Sequence, residues 1–247
     1  MPTETIPGTN RPAVFKLPDP GSLGLDQEPP TASGRQVYNT DDASTLERFK
    51  IRELSEGWPI HRDACEWTDL RAIFDPRAFL NICWLQLYRD DAINKWANGW
   101  KNGEYIMHRV LGHAVEIKGD RAINKMKVTI SWRFSDEDGV EWDCDCDVRF
   151  VLFFGKQPQG WQIFCNHPIY EKDKIVPVNP SRIPKIDPEA VAKEPKGYRY
   201  LAYSIRRLGY PIKTNLPQLY GRERDLVYQE MVDWLDGKEI DFSADEF

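Results

Sequence analysis

Between residues 40 and 178 the spacing of hydrophobic positions changes character along the chain. Thr40-Asp41-Asp42 supplies a helix N-cap, and Leu46, Phe49, Ile51 and Leu54 follow at helical spacing. This predicts a helix that Gly57-Trp58-Pro59 breaks or kinks. A second helix is expected with Cys65, Leu70 and Ile73-Phe74 on its apolar side and Asp75-Pro76 as its stop. A strand-like run over 78–84 comes next, then a short helix over 90–100. From there the period is two. His113, Val115 and Ile117 alternate with Ala114 and Glu116 up to the turn Lys118-Gly119-Asp120, and Met126, Val128, Ile130, Trp132 and Phe134 alternate with Lys127, Thr129, Ser131 and Arg133. Asp136-Glu137-Asp138-Gly139 reads as a hairpin turn, followed by a long strand over 140–154, a second hairpin over 155–160 and a last strand over 161–167. Helices followed by long hairpin-linked strands predict an α+β architecture: a curved antiparallel sheet with helices packed on one face.

The flanks break this pattern. Residues 1–38 carry Pro2, Pro7, Pro12, Pro18, Pro20, Pro29 and Pro30 with no apolar periodicity, which predicts an extended or disordered arm. Residues 179–247 open on a second proline-rich stretch and end in two amphipathic segments, over 198–208 and 222–234, expected to pack on the domain or on a second subunit. The chain is thus expected to be one domain, 39–178, with a tail at each end.

Charge and composition narrow the chemistry. Thirty-three Lys and Arg against thirty-nine Asp and Glu leave a net charge of −6, which disfavours binding to nucleic acid. The longest apolar stretch, around Val151-Leu152-Phe153-Phe154, falls short of the ~18–20 residues that cross a bilayer, so no membrane partner is expected. Met1-Pro2-Thr3-Glu4 has neither a basic nor an apolar leader region, and five cysteines, an odd number, read as buried free thiols; both point to a cytoplasmic address. Glycine-rich phosphate loops and a serine-hydrolase elbow are missing, so no nucleotide cofactor is expected.

A family resemblance is carried by three stretches. Asp63 followed by Trp67, Leu70 and Phe74, then Ile106-Met107-His108-Arg109, and the closing hairpin Phe153-Phe154 to Gly160-Trp161-Gln162-Ile163-Phe164 resemble the nuclear-transport-factor-two-like superfamily. Within it the match is to the SnoaL-like branch, with polyketide cyclases and scytalone dehydratase as relatives. The resemblance spans about residues 40–172 and implies a cone-shaped sheet with helices on its concave face, enclosing one apolar pocket. It implies a cofactor-independent lyase or isomerase of dehydratase or cyclase type, a small aromatic or polyketide-derived substrate, and a homo-oligomer. A non-enzymatic binding module of the same fold is the competing class.

The resemblance puts Asp63 where scytalone dehydratase has a helical catalytic aspartate, and His108 where it has a histidine entering the sheet. An Asp–His pair suits proton transfer, because the carboxylate orients an imidazole that titrates near neutrality. In a strand, Asp143, Asp145, Asp147 and Arg149 share one face, with Cys144, Cys146 and Val148 on the other. Asp145 or Asp147 is expected as a second acid, the alternative being a solvated strand face. Trp84 and Tyr105 are expected as pocket walls, with His61 at the mouth and Arg149 and His167 as further substrate contacts. The histidines His61, His108, His113 and His167 are too dispersed for a metal motif, and no metal is expected.

Overall fold

The computed structural model describes residues 28–244. The expected N-terminal arm therefore falls largely outside the described residues. Its last part, 28–38, runs along the domain: Gln36 pairs with Ile117 through two backbone hydrogen bonds, Arg35 bridges to Glu116 at 2.8 Å, and Ala32 is buried.

Helix α1 (Asp42–Asp63) begins where the Asp41 carboxylate accepts the Ser44 N–H at 2.9 Å. It does not break at Pro59 but runs on to Asp63. An interior proline removes one hydrogen bond and costs about 3 kcal/mol. Burial of Ile51, Ser55, Trp58 and Arg62 on successive turns of one face offsets that cost and holds the last turn in place. Leu46 and Phe49, expected on the apolar stripe, are each 54% exposed, so the buried face is rotated from the one their spacing suggested.

Helix α2 (Trp67–Ala72) stops earlier than the sequence suggested, and Phe74 already belongs to strand β1 (Phe74–Ile82). Asp75-Pro76 lies inside that strand rather than ending the helix. The Asp75 side chain accepts the Arg77 N–H at 2.9 Å, and the pairing of β1 shifts register between Phe74 and Phe79, the irregular stretch where a proline's missing N–H is tolerated. The chain turns through Cys83 and Trp84 into β2 (Leu85–Tyr88) and enters α3 (Arg89–Lys101).

Strands β3 (Tyr105–Lys118), β4 (Arg121–Ser135), β5 (Glu141–Gln157) and β6 (Gly160–Pro177) form an antiparallel meander. The six strands lie in the order β2-β1-β6-β5-β4-β3. Strand β1 runs parallel to β6, so the curved sheet is mixed rather than wholly antiparallel as expected. Hairpins announce themselves through turn residues. A parallel partner reached through a long crossover carries no local signal.

The C-terminal extension divides over both faces of the sheet. After the short α4 (Pro188–Ala192), helix α5 (Arg199–Arg207) buries Leu201, Ala202 and Ile205 in the main core, with α1, α2, α3 and the inner residues of β4 and β5. Helix α6 (Arg222–Leu235) covers the opposite face, packing Val227, Tyr228, Met231, Trp234 and Leu235 on Ile123, Val151, Phe153, Cys165 and Ile169. Among the described residues no helix is long and apolar enough to cross a membrane.

Candidate active site

Helix α1 ends at the inner face of the sheet, and its last residue, Asp63, meets the start of β3. One carboxylate oxygen of Asp63 accepts the His108 backbone N–H at 2.6 Å, and the other lies 2.9 Å from His108 Nδ1. Two contacts from one residue fix both the strand and the imidazole relative to the helix. With Nδ1 held by a carboxylate it is the protonated nitrogen, and Nε2 is left as the basic one. The imidazole is 4.9 Å from the Trp58 ring in edge-on contact and 6.2 Å from Phe150, and it lines a narrow cavity.

Burial pulls the His108 pKa below its usual value; Asp63 opposes that through its hydrogen bond and charge, and the Arg62 guanidinium adds to the lowering. Burial also pushes the Asp63 carboxyl up, but His108 and Arg62 outweigh it and hold the group below its usual value. Near neutral pH the pair is thus a carboxylate and a neutral imidazole, an arrangement chemically able to accept a proton.

The cavity is apolar and small, about 40 Å³. Trp58 and Arg62 come from α1, Trp96 from α3, Ile106 and His108 from β3, Ile130 and Trp132 from β4, and Phe150 from β5. Leu201 and Ile205 of α5 line it too, so the C-terminal extension helps close the cone. Helix α5 is held there at its N-terminus, where the Leu201 N–H donates to Asp173 at 2.8 Å; burial pushes the Asp173 carboxyl up to about 6. Further along the same extension, the Tyr210 hydroxyl donates to Glu104 and its ring lies 5.0 Å from that of Trp84.

Of the residues singled out in the sequence, the structure brings His108 and Trp84 to the cavity, with Asp63 behind His108. The others lie elsewhere. Asp145 and Asp147 sit on the outer face, opposite the inward Cys144, Cys146 and Val148, so neither supplies a second acid to the cavity. Asp145 pairs with Arg109 at 2.9 Å and accepts from Ser131, while Asp147 accepts from Thr129. Arg149, on that same face, bonds the Tyr228 hydroxyl and Glu171 and so fastens α6. His167 also faces outward, buried beneath α6 between the Phe153 and Phe242 rings. Tyr105 is half exposed at the start of β3, and His61 bonds Glu66 at the surface. Alternation along a strand separates two faces but does not say which one encloses the cavity, and that ambiguity misplaced the aspartates.

Among the described residues, His61, Glu66 and Asp69 form the one group whose ligand atoms lie within 4.8 Å of one another. It is largely exposed, none of its residues lines the cavity, and such surface groups are common without an ion. One expectation on the thiols is also corrected: Cys65 is exposed, whereas the other four cysteines are buried and free. Arg62, Trp58 and Trp96 were not foreseen in the cavity. The signal for the first two was the four-residue step from Trp58 to Arg62 on the face that carries Ile51 and Ser55.

Residues 43–164 match the model of the SnoaL-like domain. An uncharacterized protein of Emericella nidulans is 41% identical over 91% of this chain and the whole of its own length. Pea pathogenicity protein 2 of Fusarium vanettenii is 36% identical, and a PEP2-like protein of the same organism 38%; each match covers 82% of this chain and 91% of the relative. Among solved structures, an NTF2-like protein with a cystatin-like fold from Novosphingobium aromaticivorans is 17% identical and covers 53% of this chain and 90% of its own, with a TM-score of 0.43. The chain belongs to the family of pea pathogenicity protein 2 and its PEP2-like relatives, and its central domain is a SnoaL-like domain.

Proposed function

We propose that the protein is a cofactor-independent acid/base lyase or isomerase, of dehydratase or cyclase type, acting on a small aromatic or polyketide-derived molecule in the cone. The observation that carries this reading is the Asp63–His108 pair, bonded at 2.9 Å at the wall of an apolar cavity. The neutral imidazole takes a proton from substrate carbon or oxygen at Nε2, and Asp63 stabilises the charge that results. The same imidazolium returns the proton to the leaving group or to the rearranged carbon, so one residue serves as base and then as acid. Aromatic walls exclude water and suit a planar substrate. The reading includes a cytoplasmic address, supported by the four buried free thiols, and a homo-oligomer.

The test is turnover of aromatic β-hydroxy ketones, followed through the absorbance of the conjugated product. His108→Ala should lower turnover by ~10²–10⁴-fold with the fold intact. Near-normal turnover in that variant would remove His108 from the chemistry. A second reading is a non-enzymatic ligand-binding or protein-interaction module of the same fold, and the cavity volume of about 40 Å³ favours its protein-interaction form, since an apolar cavity that takes benzene is nearer 150 Å³. On the enzymatic reading, substrate enters only where the lining side chains, Leu201 and Ile205 of α5 among them, make room for it. Ligand binding without turnover in the wild type would decide for the module.

A further inference from the structure

Arg62 is the most buried arginine among the described residues, 3% exposed, and its side chain lines the cavity. Three more accessible arginines show what a full pairing looks like. Arg133 grips Asp143 with two bonds of 2.6 and 3.1 Å, Arg77 grips Asp75 at 2.9 and 3.2 Å, and Arg206 grips Glu194 at 2.7 and 3.2 Å. Arg62 has no such grip. Among the described residues its side chain donates one bond, at 3.3 Å, to the Asp63 oxygen that also faces His108 Nδ1. The other Asp63 oxygen is committed to the His108 backbone N–H. The guanidinium is otherwise flanked by the rings of Trp96 and Trp100, 5.9 and 6.0 Å from their centroids, which hold a cation in place without accepting in-plane hydrogen bonds. Glu104 contributes charge nearby without a hydrogen bond to the guanidinium: one of its oxygens accepts from Tyr210, and the other is buried with no hydrogen-bond partner among the described residues.

A guanidinium carries five N–H donors in a planar fork, and buried polar groups are ordinarily satisfied. Here the most deeply buried arginine among the described residues keeps most of its fork uncommitted, beside the proposed general base and within aromatic walls. We infer that Arg62 is the anion-binding group of the cone, and that the natural ligand is a planar conjugated molecule bearing a carboxylate or an ionised enol or phenol oxygen, bound on the free edge of this guanidinium. The inference rests on the cone being a ligand site, as proposed above, and it adds the ligand's charge and the residue that selects for it. In the bound state the oxyanion replaces missing hydrogen bonds rather than breaking existing ones, so discrimination against an uncharged analogue is strong.

Benzoate and its neutral isostere benzamide are suitable probes, read by calorimetry and by quenching of the tryptophans around the cavity. Both are titrated into the full-length protein and into Ile205→Ala, which widens the cavity. The expected result is that benzoate binds at least about tenfold more tightly than benzamide. Arg62→Met should abolish that preference while keeping benzamide affinity, and Arg62→Lys, which retains charge without the fork, should keep part of it. Equal affinity for the two probes, preference surviving in Arg62→Met, or no binding of benzoate even to Ile205→Ala would each overturn the inference. If Arg62→Met does not fold, Arg62→Lys and the wild-type preference still decide. His108→Ala should retain the benzoate preference, so failure of the proton-transfer reading and failure of the anion site are separable.

Discussion

Asp63 occupies a position that helix electrostatics disfavours. At the last residue of α1 its carboxylate faces the negative end of the helix dipole. Arg62 and the two His108 contacts offset this, which makes the Asp63–His108 pair the natural place to probe. Asp63→Asn keeps the size and removes the charge that sustains a protonated His108. Its expected effect is slower turnover with the acid limb of the pH–rate profile moved to lower pH, measurable as kcat/KM against pH. An unmoved acid limb would mean that His108 does not set it. His167 offers a separate reading of stability. Burial, with help from the Lys213 charge, pulls it down to about 3. Its folded pKa lies below the unfolded value of about 6.5, so it contributes stability present above that value and lost as pH falls toward about 3. Urea midpoints measured across that range should fall with pH, and less steeply in His167→Gln. Identical slopes would contradict the assignment.

At the scale of elements, strand β5 shows how much was legible. Its outward Asp143, Asp145 and Asp147 alternate with inward Cys144, Cys146 and Val148, as the sequence suggested. Beyond residue 149 the alternation gives way to Phe150-Val151-Leu152-Phe153-Phe154, the signature of a strand buried on both faces. Helix α6 is what buries the second face. Trp234 anchors it: 4% exposed, it stacks under Arg121 at 3.7 Å, meets the Phe153, Phe164 and Phe242 rings, and donates its indole N–H to the Phe154 carbonyl at 3.0 Å. Trp234→Ala should cost ~3–5 kcal/mol in urea unfolding, the usual range for truncating a buried tryptophan. A loss below about 1 kcal/mol would mean that α6 is not integral to the fold. The amphipathic spacing of both C-terminal helices was visible beforehand, with the domain or a second subunit as the surface they would cover; the structure seats α6 on the outer face of its own sheet and α5 at the cone mouth.

For the whole molecule, α6 covers only part of the outer face. Along β3 the outward side chains Tyr105, Met107 and Leu111 stay exposed, beside a ladder of ion pairs such as Arg109–Asp145 and Arg133–Asp143. We propose that a second copy covers this strip, and light scattering should then return a multiple of the chain mass at micromolar concentration. A monomeric mass would mean that α6 alone meets the need of this face. The sequence by itself determined the local order of the protein: where helices start, where hairpins turn, and the α+β class, because caps, turn residues and hydrophobic period act over a few residues. It also brought Asp63 and His108 forward as a pair, through their place in a recognisable family pattern. Only the tertiary structure decided the parallel seating of β1 against β6, the uninterrupted passage of α1 through Pro59, the face on which the aspartates stand, and the burial of Arg62 against two tryptophans. Each of these depends on contacts between segments far apart in the chain, where packing outweighs local preference; spacing marks a shared face, as the step from Trp58 to Arg62 does, without saying what will cover it.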